Sequence, residues 1–185
     1  EVQTPMTASI REAPLWLEEV EGEQALTKVT NWNKRTLDKL TSDPRFSQYQ
    51  QAALNIVNAT DKIPYGTYRN DMVYNFWQDE NHVRGVLRQT SLAEYRKAQP
   101  QWQTLLDIDA LSAAEGKNWV FSGTTCAESD YNLCMVSLSD GGKDAVEMRE
   151  WDRASKSFVD KGFYLPEAKT ALSWSSPDSL HVGTN

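Results

Sequence analysis

The feature that most limits what this chain can fold into is a recurrence of short strand-like runs in groups of four. From Ile63 onward, runs rich in Val, Tyr, Phe, Trp and Thr alternate with clusters of turn residues. That texture fits antiparallel strands joined by tight connections. A first group reads as strands over residues 63–68, 72–78, 83–90 and 102–108, with Arg69-Asn70-Asp71 and Asp79-Glu80-Asn81 as turns. A polar excursion runs from Leu92 to Lys97, and Asp109 is suited to cap a brief helical turn ending at Gly116. A second group covers 118–123, 132–139, 144–151 and 157–164. Its turns are Asp140-Gly141-Gly142, where glycine supplies positive φ, and Asp152 to Ser155. A third group opens with 171–175 and 179–184, around Ser176-Pro177-Asp178. The groups begin at Ile63, Trp119 and Ala171, 56 and 52 residues apart. Four antiparallel strands in roughly 50 residues is the period of a β-propeller blade. A β-meander of accidental spacing is the competing reading. The fold class is therefore mainly β with N-terminal α-helices, a partial propeller of about two and a half four-stranded blades. Closure of a ring takes more blades than that, so the chain is expected to be incomplete.

The first third of the chain has a different period. Leu26, Val29, Trp32, Leu37 and Leu40 recur at spacings of three to five, on one broad helical face. Asp43 and Pro44 restart the pattern, and Phe46, Tyr49, Ala53 and Ile56 follow. Two amphipathic helices are expected, over about 23–41 and 44–58, with one more helical turn near 14–19. The organisation is then a helical extension over residues 1–61 and an incomplete propeller over 62–185. The chain opens at Glu1 rather than Met, and no basic-plus-apolar leader stands in residues 1–14, so a processed or excised chain is expected.

Charge and composition exclude several classes of function. The 19 basic and 26 acidic residues leave a net charge of −7, against the basic face that a nucleic-acid binder needs. No apolar run approaches the length of a membrane-spanning helix. Seven Trp, seven Tyr and five Phe argue for a packed core and against disorder. The two histidines, His82 in a turn and His181 in a strand, have no recognisable nucleophile partner and are too few for a metal site. Asp107 with Asp109 and Glu147 with Glu150 are the spacings that paired catalytic carboxylates could take, but capping and turn roles are simpler. Asp140-Gly141-Gly142 lacks the lysine-serine ending of a phosphate loop. No catalytic, cofactor-binding or metal-binding residue is assigned. The Trp residues at 16, 32, 77, 102, 119, 151 and 174 read as core, with a binding platform as the alternative. Cys126 and Cys134 flank a seven-residue connection between strands: either a disulfide across a hairpin or two reduced thiols.

Several stretches together carry a family resemblance. They are Asn118-Trp119-Val120-Phe121-Ser122-Gly123, then Tyr131 through Gly141 to Asp152, and Gly162-Phe163-Tyr164-Leu165-Pro166-Glu167. Ser173-Trp174 and Pro177 through Thr184 continue it, and Leu15-Trp16-Leu17-Glu18 and Trp102 through Leu111 precede it. In order and spacing these resemble the propeller of prolyl oligopeptidase-type serine peptidases, from about Ala13 to the last residue. The resemblance implies an enzyme in which a helical extension leads into a seven-bladed propeller and then an α/β-hydrolase domain. That domain would hold a Ser-Asp-His triad, with the propeller restricting access to short peptides, often cut after proline. The likeness is to a bacterial branch whose members are often exported, which implies a periplasmic or secreted location, with the cytoplasm as alternative. The family's nucleophile sits in a Gly-x-Ser-x-Gly elbow, and that pentapeptide does not occur here.

The reading is thus an N-terminal part of such a peptidase, expected to be inactive alone and to need no cofactor. Its expected partners are the hydrolase domain, the remaining blades and short peptide substrates, with no nucleic acid and no membrane. Self-association through open blade edges is also expected. The rival is a free-standing β-rich module that binds glycans or peptides through exposed Trp residues.

Overall fold

The computed structural model describes residues 14–185, so the leader reading of residues 1–14 lies almost wholly outside the described residues. The chain divides into two compact units between Val57 and Asn58. In the first, a 3-10 turn at Leu15–Glu18 precedes α1 (Glu23–Thr41) and α2 (Phe46–Val57). The residues at 44 and 45 form a turn rather than the start of α2. Asp43 holds that turn by accepting from the Arg45 backbone N–H at 2.9 Å and from its guanidinium at 2.7 and 3.0 Å. The apolar stripe of α1 is not covered within the described chain: Leu26, Val29, Trp32, Leu37 and Leu40 are between 42% and 56% exposed.

The second unit is built of antiparallel sheets. The first sheet has the order β1 (Thr67–Arg69), β2 (Met72–Trp77), β3 (Val86–Ser91), β4 (Gln103–Asp107). The second has the order β5 (Trp119–Cys126), β6 (Leu133–Asp140), β7 (Val146–Asp152), β8 (Ser157–Phe158), with β9 (Tyr164–Ala168) also on β7. A third pairs β10 (Thr170–Ser176) with β11 (Ser179–Thr184). Short helices α3 (Leu92–Tyr95) and α4 (Ile108–Glu115) stand before and after β4. The architecture is mainly β, a four-stranded, a five-stranded and a two-stranded antiparallel sheet in succession; the second group has five strands rather than the expected four.

Four local expectations differ from the structure: the strand expected from residue 83 begins only at Val86, and three others follow. Residues 63–66 are not strand; their backbone serves side chains of the first sheet instead. Asn75 Nδ2 donates to the Tyr65 carbonyl at 2.7 Å and the Tyr95 hydroxyl to the Pro64 carbonyl at 3.1 Å. The fourth strand of the second group, expected over 157–164, is split into β8 and β9. Lys161 takes φ 57, and the buried Glu150 carboxylate accepts from the Phe163 N–H at 2.7 Å, so residues 159–163 bulge out while both ends pair with β7. The cap of α4 is Asp107, which accepts from the Ala110 N–H at 2.9 Å. Asp109 is drawn away by the Arg84 and Gly85 N–H groups, 25 and 24 residues earlier, at 3.0 to 3.2 Å.

The core lies between the first two sheets. Leu87, Leu106 and Ile108 from one side meet Trp119, Val136, Leu138 and Trp151 from the other. At its margin the rings of Phe76 and Phe121 stack at 4.5 Å between centroids. Gly85, at φ 101, lies under this stack: a Cβ there would come within 2.3 Å of the Phe76 ring. Gly85→Ala therefore meets both an unfavourable φ and a ring that Phe121 holds in place. A loss of about 2–3 kcal/mol is expected by denaturant unfolding, and the penalty should shrink in a Phe76→Leu background, where the ring is gone.

Candidate functional site

A cleft in the second unit opens between β1 and β2 on one side and β5 on the other, with a volume of about 470 Å³. Three turns build it. The β1–β2 turn places Asn70 and Asp71 at φ 47 and 60, the pair of positive values a two-residue hairpin turn requires. Tyr68 donates its hydroxyl to Asp71 at 2.6 Å, and this bond raises the phenol above its ordinary pKa. The β5–β6 loop is closed by a disulfide between Cys126 and Cys134, which are also directly opposed in register. Within it Asn132 N–H donates to Asp130 at 2.8 Å, and Tyr131 is turned to φ 59. The β7–β8 turn is organised by Asp152, which accepts from Ala154 N–H, Ser155 N–H and Asn132 Nδ2 at 2.8 to 3.3 Å.

These turns are joined to one another. Asn70 Nδ2 donates to the Asp130 carbonyl at 2.7 Å. Arg153 Nη1 donates to the Tyr131 carbonyl at 2.9 Å, and its guanidinium lies 3.9 Å from the Tyr74 ring centre. The Arg69 guanidinium stands 5.3 Å from the Tyr131 ring centre. Two guanidinium groups thus face one cleft. Burial lowers the Arg153 pKa, Tyr74 acts in the opposite direction, and the charge of Arg69 lowers it further. Neither arginine forms a carboxylate ion pair among the described residues, although Glu128 stands on the rim. Arg149 is the contrast: its guanidinium is forked onto Glu115 at 2.7 and 2.9 Å and reaches Glu147 at 3.0 Å.

The residues singled out from sequence go elsewhere. His82 Nδ1 meets Asp79 at 2.9 Å, and no hydroxyl is bonded to this imidazole among the described residues. Asp79 also accepts from Trp77 Nε1, Asn81 N–H and His82 N–H, so the pair is the hub of a turn. His181 is exposed on β11, opposite Ser173. Asp107 and Asp109 are spent on backbone N–H groups, Glu147 on Arg149 and Tyr164, and Glu150 on Phe163. Asp140 accepts from Lys117 and the Asn118 N–H in its hairpin turn. Among the described residues no cluster of three His, Cys, Asp or Glu side chains could hold a metal ion.

The Trp residues are likewise engaged. Trp119 and Trp151 are buried. Trp77 and Trp102 sandwich Arg88, 4.3 and 4.4 Å from the ring centres, and burial brings that guanidinium down to about 10. Trp174 Nε1 donates to the Thr125 carbonyl at 2.8 Å. Trp16 is half-buried, and Trp32, 46% exposed, lies 5.2 Å from Lys28 Nζ. Sequence reasoning passed over Arg69 and Arg153. A charged residue in a hairpin turn reads as solvated, and only the adjacency of the two sheets brings these turns together.

Comparison with known proteins places this architecture. A family model described as the N-terminal β-propeller domain of prolyl oligopeptidase matches residues 11–182. An uncharacterized peptidase of Sinorhizobium fredii is 49% identical over 168 residues, which is 90% of this chain and 23% of that protein. An uncharacterized peptidase of Rickettsia prowazekii is 34% identical over 148 residues, 80% of this chain and 20% of that protein. Among solved structures, a post-proline cleaving enzyme from Rickettsia typhi superposes with a TM-score of 0.81 at 34% identity, covering 89% of this chain and 25% of that one. A prolyl endopeptidase structure with a TM-score of 0.63 at 17% identity, covering 86% and 22%, shares the fold. The chain spans a quarter or less of the length of each of these proteins.

The turn at Asp79 has a measurable pH signature. Burial pushes this carboxyl up, but the donors from Trp77, His82 and Asn81 outweigh it and hold the carboxyl at about 2, against an ordinary 3.8. A depressed folded-state pKa stabilises the fold above the unfolded value, and the benefit disappears as pH falls through the folded one. Asp79→Ala should cost about 1–2 kcal/mol at pH 7. The gap from the parent, measured by urea unfolding, should narrow between pH 4 and pH 2.

Proposed function

The chain belongs to the prolyl oligopeptidase family, as part of its N-terminal β-propeller domain, and from that membership we propose that it is the blade-forming portion of a serine peptidase that cleaves short peptides, often after proline. The observation that carries this reading is the joint match, in sequence and in fold, to the post-proline cleaving enzyme of Rickettsia typhi. In this reading the nucleophile, its histidine base and the carboxylate that orients it belong to a hydrolase domain outside these 185 residues. The missing Gly-x-Ser-x-Gly elbow supports that division of labour. The blades would roof the active site and admit only short, extended peptides. The chain by itself would bind and shape but not cut.

The exposed apolar stripe of α1 is the kind of surface that a further domain would cover, and it supports a docking role for the helices. The Cys126–Cys134 bridge supports an oxidising location, periplasmic or secreted. The glycan-platform rival finds little support, because the facing sides of Trp77 and Trp102 are filled by Arg88.

The test uses the full-length protein and two fluorogenic substrates, succinyl-Gly-Pro-aminomethylcoumarin and its Gly-Ala counterpart. Release from the proline substrate at a kcat/KM at least 100-fold above the alanine one is expected. A serine-directed phosphonate should label a single serine beyond the present chain. No post-proline release, or labelling of a serine within residues 1–185, overturns the reading.

A further inference from the structure

We infer that the cleft between the first and second sheets is a carboxylate-binding subsite, in which Arg69 and Arg153 together receive the carboxylate of a bound peptide. The inference deepens the peptidase reading and rests on it for the peptide nature of the ligand.

Three independent observations lead there. The first is charge. Arg153 is withdrawn from water, and the like charge of Arg69 in the same cleft acts against its own. A guanidinium stripped of water is costly unless an anion compensates it. The Tyr74 ring and the Tyr131 carbonyl supply only part of that compensation. Arg153 Nε is buried with no acceptor, while its guanidinium engages the Tyr131 carbonyl through Nη1 and the Tyr74 side chain; Arg69 Nη1 donates to the Tyr68 carbonyl. Two planar forks with donors to spare match the two oxygens of a carboxylate.

The second is strand edges. β1 and β5 are each the first strand of their sheet, with a neighbour on one side only, and residues of both line the cleft. An extended peptide can pair with such an edge. The third is space. Gly123 on β5 sits at an irregularity in the β5–β6 register, at φ 130, and a Cβ there would have no neighbour within 4 Å. A strand glycine facing open room is a place where another backbone can come close. Glu128 also lines the cleft, so two guanidinium groups and one carboxylate leave a single net positive charge there, which matches one carboxylate.

The carboxylate is either the C-terminus of the peptide or an Asp or Glu side chain, and the experiment separates these. The full-length protein is titrated calorimetrically with Ala-Gly-Ala-Gly-Ala, with its C-terminal amide, and with the amide carrying Glu at the centre. None contains proline, so binding is read without turnover. Binding of the free acid at least tenfold tighter than the plain amide is expected. Binding of the Glu-containing amide to the same degree assigns the side chain as a second source, and its failure assigns the C-terminus alone. Arg69→Gln and Arg153→Lys should each weaken the acid about tenfold while leaving the weak amide isotherm where it was. Arg69 is exposed, so its variant keeps the test valid if changes at Arg153 disturb folding. Equal affinity for acid and amide, no binding of any peptide, or unaltered binding by Arg69→Gln overturns the inference. Carboxylate-dependent binding without post-proline cleavage upholds the subsite and sinks the peptidase reading instead.

Discussion

The first two sheets of the second unit depend on the burial of one sheet face against the other. A twisted antiparallel sheet of four strands has two faces, and neither can be left apolar and bare. The first sheet turns Tyr74, Phe76, Leu87 and Leu106 toward the second, which answers with Phe121, Val136, Leu138 and Trp151. Ile108, completely buried, sits where β4 becomes α4, so the link between the sheets is itself part of the core. Its N–H donates to the Gly85 carbonyl at 3.0 Å, which ties the end of β4 to the start of β3. The polar groups that frame the cleft can hold their places because this packing fixes the sheets that carry them.

Two arginines show how differently the fold treats buried charge. Arg149 lies over the rings of Trp119 and Phe158, yet Glu115 and Glu147 neutralise it, and these carboxylates raise its pKa although burial lowers it. Two carboxylates thus balance one guanidinium, although its Nε, like that of Arg153, is buried without a hydrogen-bond acceptor, and the site serves as a rivet between α4 and β7. Arg153 has similar aromatic company and no such carboxylates. The chain pairs one guanidinium with carboxylates and, four residues on, leaves another without one at a cleft.

The strand groups were legible because alternation and turn chemistry are local. Asp140-Gly141-Gly142 makes the β6–β7 turn, with both glycines at φ 81, and α1 occupies the residues its apolar spacing marks. What escaped reading depends on distant partners. Nothing near Asp109 announces that Arg84 and Gly85 will claim its carboxylate and leave the cap to Asp107. The bulge between β8 and β9 follows from Glu150 reaching across to Phe163. Residues 63–66 carry strand-forming side chains, but Gly66 is pressed against Val73 and the segment's carbonyls serve Asn75 and Tyr95. The cleft was least legible of all, since its arginines, one at the end of β1 and one in the β7–β8 turn, lie 84 residues apart in sequence.

Strand order within the sheets follows order along the chain, and only the β7–β9 pairing skips a neighbour. During synthesis each strand therefore finds its partner in the segment just made, and no long loop has to close before a hairpin forms. The first sheet is complete in outline when Asp107 has left the ribosome, but its inner face has to wait for Phe121, Val136 and Leu138. In that interval a nascent chain carries an apolar sheet with nothing to lean on, the species that chaperones recognise. The meander thus makes hairpin formation fast and leaves the pairing of sheets as the vulnerable step of biogenesis.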